Sequence, residues 1–207
     1  MAGGWWDRHV VPRMIRCACG QPAIAELRQK VVPQATGEVF ELGCGGGLNQ
    51  PFYNGEAVTA FSGIDPSPSL MADARAAAEQ RGWQATLRQA TGEAIPFADA
   101  SFDTVVCTYT LCSVQDPAQV LSELRRVLRP GGRLLFLEHG RAPDPGVEAW
   151  QRRIEPVWKR LLGGCHLTRP VAAAVRAAGF AVEQTEGCYV PGTPRFAGWM
   201  EWGVARA

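Results

Sequence analysis

The clearest chemical pattern in this sequence combines two acidic residues with a run of glycines. Glu41 stands two positions before Gly43, residues 43–47 contain four glycines in five positions, and Asp65 follows about twenty residues later. Glycine-rich backbone can approach a ligand closely because no side chain intervenes. The loop could hold a dinucleotide pyrophosphate, a phosphate or the amino-acid end of a sulfonium cofactor, or it could form only a tight turn.

The glycine spacing disfavours two of these ligands. A dinucleotide fingerprint G-x-G-x-x-G needs a third glycine, but a count from Gly43 ends on Leu48 and a count from Gly45 ends on Gln50. A phosphate-binding P-loop closes on Gly-Lys-Ser/Thr, and this loop has no lysine. Nucleoside triphosphate and dinucleotide chemistry are therefore disfavoured.

The two acidic residues indicate another kind of ligand. A carboxylate at Glu41 would repel a pyrophosphate but suits a ligand with an ammonium group. Asp65 ends the second predicted strand, where an acidic side chain can accept hydrogen bonds from both hydroxyls of a ribose. Together they predict a nucleoside with a cationic tail that lacks phosphate.

The elements that must position these residues alternate between strands and helices, which predicts a parallel sheet covered by helices. The predicted strands are 38–42, 58–65, 84–89, 102–109 and 133–139. Helices are predicted over 69–82 and 117–132, the second with Pro117 at its start and Gly131 at its end. The strands' C-terminal ends should then share one edge, where ligands bind.

The last third changes character. A helix over 147–164 should be interrupted at Pro156, and Thr168 and Pro170 should start another over 168–179. Strands are expected over 180–190 and 196–206, separated by 191–195. The predicted fold class is α/β, with a mostly parallel seven-stranded sheet, a C-terminal antiparallel hairpin and helices on both faces.

The composition describes an ordinary globular protein. The 207 residues are 46% hydrophobic and 20% charged with a net charge of +1, so we expect one domain and no nucleic-acid partner. No segment resembles a signal peptide or a membrane span, which predicts a cytoplasmic location. Seven cysteines without a CxxC pair predict free thiols and no metal site; the alternative is a metal site formed by Cys107, Cys112, Cys165 and His166.

Residues 38–139 resemble the class I S-adenosylmethionine-dependent methyltransferases, whose fold is Rossmann-like. The resemblance implies S-adenosylmethionine as cofactor. The implied cofactor-binding residues are Glu41, Gly43, Gly45, Gly47, Asp65, Thr91, Gly92, Glu93 and Thr108. Relatives often carry an acid followed by a small residue where this chain has Thr91 and Gly92, so the adenine edge would be bound by the backbone at Gly92.

A narrower resemblance rests on five segments. They are 106–114, 127–132, 136–140, 149–158 and 163–169. They are similar to a subgroup that includes bacterial phosphatidylethanolamine N-methyltransferase-like proteins and vertebrate alkyl-thiol S-methyltransferases. This implies a small, largely apolar acceptor, with a thiol sulfur as first choice. The alternatives are a phospholipid amine, C- or O-methylation of a quinone-like ring, and a non-catalytic cofactor-binding protein.

Candidate acceptor-site residues lie where the fourth and fifth strands end. His139 would serve as a base or only cap its strand, and Tyr109 and Cys112 would lie beside the methyl group or only wall the cofactor pocket. Cys165 and His166 belong to a loop that could fold over the acceptor.

The N-terminal segment is expected to act as a cap. Unlike the vertebrate relatives, it shows no apolar anchor, and Trp5 and Trp6 would form a lid, touch a membrane interface or join the core. Membrane contact is not expected. The predicted organisation is a cap over 1–36, a cofactor-binding half over 37–139 and an acceptor-site half over 140–207. The sequence leaves the oligomeric state open.

Overall fold

The computed structural model describes Val10, Met14 and residues 19–207. Trp5 and Trp6, in the first half of the expected N-terminal cap, lie outside the described residues. No helix of the described segments is both long and apolar enough to cross a bilayer.

Seven strands form one sheet in the order β3-β2-β1-β4-β5-β7-β6, which confirms the expected architecture. The strands are β1 (Gly37–Leu42), β2 (Val58–Asp65), β3 (Thr86–Gln89), β4 (Phe102–Thr108), β5 (Leu128–His139), β6 (Ala181–Tyr189) and β7 (Trp199–Arg206). The first five are parallel to one another, and β7 pairs antiparallel with both β5 and β6. The order reverses between β1 and β4, so their C-terminal ends diverge into a cleft.

Helices cover both faces. They are α1 (Pro22–Val31), α2 (Pro68–Gln80), α3 (Pro117–Val127), α4 (Pro145–Leu161), α5 (Val171–Ala177) and α6 (Arg195–Gly198). One apolar core contains residues of α1 and α2, and the other contains residues of α3 and α5. Successive residues of the central strands alternate between the two cores: Val106 joins the first, whereas Val105 and Cys107 join the second.

Two helix predictions were wrong, one at the end of the helix and the other in its middle. The helix expected over 117–132 stops at Val127, because proline at 130 disfavours helical backbone at Arg129, and β5 already starts at Leu128. The helix expected to break at Pro156 continues through it. Proline removes only the hydrogen bond to the Arg152 carbonyl, and both residues are exposed, so water can satisfy that carbonyl.

The end of the chain also differs slightly from the prediction. The strand expected over 196–206 begins three residues later, because Arg195–Gly198 forms a short helical turn. The hairpin of β6 and β7 is present as expected. It closes the sheet beside β5 and brings Met200 opposite His139.

Candidate active site

A cavity of about 320 Å³ opens at the diverging ends of β1 and β4. We call it the glycine-loop cavity. It is lined by Cys19, Arg28, Glu41, Gly43, Cys44, Gly45, Gly46, Leu48, Asn49, Asp65, Pro66, Ser67, Leu70, Thr108, Tyr109, Thr110, Ser113 and Gly163. Five of the nine predicted cofactor-binding residues therefore share one cavity.

Glu41 is buried at the floor of this cavity and is held by two hydrogen bonds. Its Oε1 accepts from Asn49 Nδ2 at 2.9 Å and its Oε2 from the Tyr53 hydroxyl at 2.7 Å. Burial raises the pKa of Glu41 to about 7, although these hydrogen bonds and the charge of Arg28 oppose the rise. A cationic ligand group nearby would favour the ionised carboxylate.

The sequence analysis missed the partners of Glu41. Asn49 accepts a hydrogen bond from Arg28 Nε at 2.8 Å and donates one to Thr108 Oγ1 at 2.9 Å, so it joins three elements beneath the cavity. Its position just after the glycines was the only available signal. Tyr53 and Arg28 carried none, because only the folded chain brings them to Glu41.

Asp65 ties the glycine loop to the end of β2. Its Oδ2 accepts from the Gly45 backbone N–H at 3.0 Å and its Oδ1 from the Ser67 N–H at 2.8 Å. Burial raises the pKa of Asp65, and these backbone donors oppose the rise. Each carboxylate oxygen has a second lone pair, so the group can also accept from a vicinal diol in the cavity.

The glycines of the loop serve different purposes. A Cβ at Gly43 would lie 2.2 Å from Thr110 Oγ1, so this position cannot hold a side chain. Gly45, with φ of +49°, has no heavy atom closer than 3.7 Å to such a Cβ, and its open side faces the cavity. Gly47 does not line the cavity: a Cβ there would lie 2.9 Å from Ala77 Cβ, so this glycine lets α2 pack against the loop.

Thr91 and Gly92, predicted for the adenine edge, and Glu93, predicted to bind the cofactor, are not among the residues that line the cavity. Thr91 is exposed, and a Cβ at Gly92 would meet Leu42 and Val120. Glu93 Oε1 accepts from the backbone N–H groups of Gln115 and Asp116. Burial alone would raise the pKa of Glu93, but these and other hydrogen bonds hold it below its usual range.

Tyr109 stands between the glycine-loop cavity and a second one, lining both. Its backbone has φ of +55°, a left-handed conformation that costs about 1–2 kcal/mol for a residue with a side chain. The guanidinium of Arg28 lies 5.0 Å from the ring centre. The buried hydroxyl has no hydrogen-bond partner among the described residues, and burial raises its pKa.

The second cavity, which we call the histidine cavity, has a volume of about 240 Å³. It is lined by Met14, Cys19, Gln21, Ile24, Tyr109, Cys112, Ser113, His139, Trp158, Leu162, Cys165, Thr193, Ala197 and Met200. In the part of the chain that the structure describes, its lining includes no aspartate, glutamate, lysine or arginine. It therefore suits an apolar, uncharged guest.

His139 contributes an imidazole ring to the lining of the histidine cavity. It is buried, and its Nδ1 lies 3.4 Å from Cys165 Sγ. Its Nε2 is buried without a hydrogen-bond partner among residues 19–207, Val10 and Met14. If Nδ1–H donates to the sulfur, the Nε2 lone pair is available to accept a proton.

Cys112 and Cys165 both line the histidine cavity, but His166 does not. The His166 ring instead pairs with Glu155, at 3.1 Å from Nδ1 to Oε1. Cys107 does not line this cavity, and its Sγ donates a 3.3 Å hydrogen bond to Glu138 Oε1. No group of three or more His, Cys, Asp or Glu side chains in the described segments could hold a metal ion.

Glu138 is a further residue that the sequence analysis did not single out. This buried carboxylate accepts the backbone N–H groups of Thr110 and Leu111 at 2.9 Å and of Cys112 at 3.1 Å. Burial raises the pKa of Glu138 to about 7 against the effect of these donors. It therefore fixes the turn that carries Cys112 next to Tyr109.

Comparison with known proteins gives consistent matches. Residues 40–136 match the family described as a methyltransferase domain. Thiol S-methyltransferase TMT1B of Rattus norvegicus is 45% identical over 154 residues, which are 72% of this chain and 62% of the rat protein. The chain thus spans less than two thirds of the length of that relative.

Two further matches cover a larger share of the matched protein. Ubiquinone biosynthesis O-methyltransferase of Xylella fastidiosa is 32% identical over 196 residues, covering 89% of this chain and 76% of the relative. The crystal structure of an S-adenosylmethionine-dependent methyltransferase from Mesorhizobium loti has a TM-score of 0.69 at 22% identity. That match covers 91% of this chain and 99% of the other and shows a shared fold.

Proposed function

Because the chain belongs to the S-adenosylmethionine-dependent methyltransferases, we propose that it transfers the methyl group of that cofactor to the sulfur of a small, largely apolar thiol. The observation that carries the choice of acceptor is the histidine cavity, whose described lining has no aspartate, glutamate, lysine or arginine but contains His139. It adjoins the glycine-loop cavity at Tyr109.

The glycine-loop cavity fits the methyl donor. Asp65 can accept hydrogen bonds from the ribose hydroxyls, and the open side of Gly45 leaves room for the ligand. Glu41, on the floor, offers a carboxylate to the ammonium group of the methionine end. When bound, S-adenosylmethionine supplies the electrophilic methyl group and its own leaving group.

The protein's own contribution is to align the acceptor, to exclude water and to remove the acceptor's proton. In-line methyl displacement requires the acceptor to approach opposite the leaving sulfur, which adjoining cavities allow. A thiol ionises near pH 8.5, so a neighbouring base increases its nucleophilic fraction at neutral pH. Nε2 of His139, which has no hydrogen-bond partner among the described residues, would take that proton.

The thiol is favoured over an amine acceptor by the same lining. A protonated amine is usually recognised by a carboxylate, and no described lining residue of the histidine cavity supplies one. The relationship to a thiol S-methyltransferase of the rat agrees with this choice. An O-methylated ring is the second candidate, supported by the relationship to the ubiquinone biosynthesis O-methyltransferase.

The direct test is an acceptor panel. The purified protein is incubated with cofactor carrying a labelled methyl group and with matched small apolar thiols, amines and phenols, and the methylated products are identified by mass spectrometry. Thiol methylation is the expected result. Transfer to phenols or amines but never to thiols would overturn the choice of acceptor, and cofactor binding without transfer to any acceptor would overturn the enzymatic assignment.

A further inference from the structure

Two cysteines from distant segments meet in the wall of the histidine cavity. Cys112 follows β4 and Cys165 follows α4, and both line the cavity. The backbone N–H of His166 donates a 2.8 Å hydrogen bond to the Cys112 carbonyl, so the two segments are joined beside the thiols. Because Cys165 immediately precedes His166, this hydrogen bond brings Cys165 and Cys112 side by side in the lining of the same cavity.

Methyl transfer makes no use of this pair. The acceptor supplies the nucleophile and the cofactor supplies the leaving group, so the wall needs no second thiol. Two thiols and an imidazole are nevertheless gathered in one place, with His139 Nδ1 at 3.4 Å from Cys165 Sγ. A thiol pair beside a histidine is the arrangement that thiol–disulfide exchange requires.

We propose that Cys165 and Cys112 form a thiol–disulfide exchange site that takes small apolar disulfides entering the histidine cavity. The Cys165 thiolate attacks one sulfur of the disulfide, forms a mixed disulfide and releases the first thiolate. Cys112 then attacks Cys165 Sγ, forms the Cys112–Cys165 disulfide and releases the second thiol. The protein dithiol loses two electrons, the small disulfide gains them, and an external dithiol reverses the change.

The order of attack follows from the surroundings of each thiol. The neighbouring Cys112 thiol lowers the pKa of Cys165 well below its usual range and outweighs the effect of burial, and the His139 ring lowers it further. The neighbouring Cys165 thiol, followed by burial, raises the pKa of Cys112. The contacts support the same order, because the His139 ring lies 3.4 Å from Cys165 Sγ, whereas Cys112 Sγ lies 3.4 Å from the Ser113 hydroxyl. Cys165 is therefore the attacking group, and Cys112 resolves the mixed disulfide.

The lining of the histidine cavity also determines which small disulfides can enter it. Its lining carries Trp158, Leu162 and Met200 in addition to the polar residues already described, so an apolar substituent can be accommodated there. Cys112 is fixed from both sides, because Glu138 accepts its N–H and His166 donates to its carbonyl. A fixed resolving thiol next to the attacking one limits the lifetime of the mixed disulfide.

The test uses 4,4′-dithiodipyridine as the small aromatic disulfide and the full chain without methyl donor. We expect a fast phase that releases two thiopyridone molecules per protein and leaves it two hydrogen atoms lighter, without an adduct at either cysteine. Digestion should yield a disulfide-linked peptide pair containing Cys112 and Cys165. The fast phase, which belongs to Cys165 and Cys112, should have a rate at least about tenfold higher than the reaction of the other cysteines.

Three variants separate the roles. Cys112→Ser should release one thiopyridone in the fast phase and keep an adduct on Cys165, whereas Cys165→Ser should lose the fast phase. Cys188→Ser is the matched control, since Cys188 is half-buried in β6 outside the histidine cavity, and its fast phase should equal that of the unaltered chain. Circular dichroism checks that each variant folds.

Retained adducts on the unaltered chain, a fast phase that survives in Cys165→Ser, or a linked peptide that contains Cys19 instead would overturn the proposal. The readouts are thiol release and mass, and neither needs methyl transfer. Failure of the acceptor panel and failure of this exchange are therefore separate results.

Discussion

The backbone N–H of Gly45 donates a 3.0 Å hydrogen bond to Oδ2 of Asp65, which joins the glycine loop to the end of β2. One carboxylate therefore shapes the loop and also faces the cavity. Its removal should affect both the ligand and the conformation of the loop.

Asp65→Ala should weaken S-adenosylmethionine binding by about 100-fold, because hydrogen bonds to a charged group contribute about 1.5–3 kcal/mol each. Isothermal titration calorimetry measures the change. Glu79→Ala, which removes an exposed carboxylate from α2, is the control and should bind like the unaltered chain. Equal affinity in the two variants would contradict the role of Asp65.

The two buried carboxyls predict a stability that falls with rising pH. The pKa of Glu41 and that of Glu138 are raised by burial from 4.5 to about 7 in the folded chain. Between these values the unfolded chain has lost protons that the folded chain retains, so the free energy of unfolding should decrease from about pH 4.5 to about pH 7. Each carboxyl contributes about 3 kcal/mol at most.

Urea unfolding at several pH values measures this slope. Glu41→Gln keeps an acceptor for Asn49 and a polar partner for Tyr53 but removes one ionisation, so its slope should be about half that of the unaltered chain. A slope unchanged by this substitution would show that Glu41 does not hold its proton in the folded state.

Gly47→Ala should destabilise the fold by about 2–3 kcal/mol, because strain at φ of +75° adds to a contact of 2.9 Å with Ala77 Cβ. Gly82→Ala is the matched control: its φ is +71°, but a Cβ there meets nothing within 4 Å. It should cost only the backbone strain of about 1–2 kcal/mol. If urea unfolding shows that both variants lose the same free energy of unfolding, Gly47 has no packing role.

His139→Gln should lower kcat/KM for a thiol acceptor by about 100-fold at pH 7, because the base that removes the thiol proton is lost. The defect should shrink above about pH 8.5, where the thiol ionises unaided. His166→Gln is the comparison, since His166 pairs with Glu155 outside the cavity lining. A defect that is independent of pH would mean that His139 only packs.

The alternation of apolar strands and helices predicted the sheet, its hairpin and both covered faces. Local propensity misplaced helix boundaries: Pro130 ended one helix earlier than Gly131 suggested, while Pro156 was tolerated where its helix faces solvent. The glycine spacing placed Gly43 and Gly45 in the cavity. It could not separate them from Gly47, because the contact with α2 exists only after folding.

The supporting residues of the site were harder to predict. Asn49, Tyr53 and Arg28 reach Glu41 from three different segments, and sequence spacing carries no record of such a meeting. The sequence did not single out Glu138, although three backbone donors converge on it in the fold. These contacts depend on tertiary packing.

Tyr109 forms part of the wall of both cavities. A ligand that displaces its ring from one side must therefore change the free energy of binding on the other side. Thermodynamic linkage requires this effect to be reciprocal: the factor by which the acceptor alters the dissociation constant of the cofactor equals the factor by which the cofactor alters that of the acceptor. Displacement of this one aromatic side chain would therefore couple the two binding events.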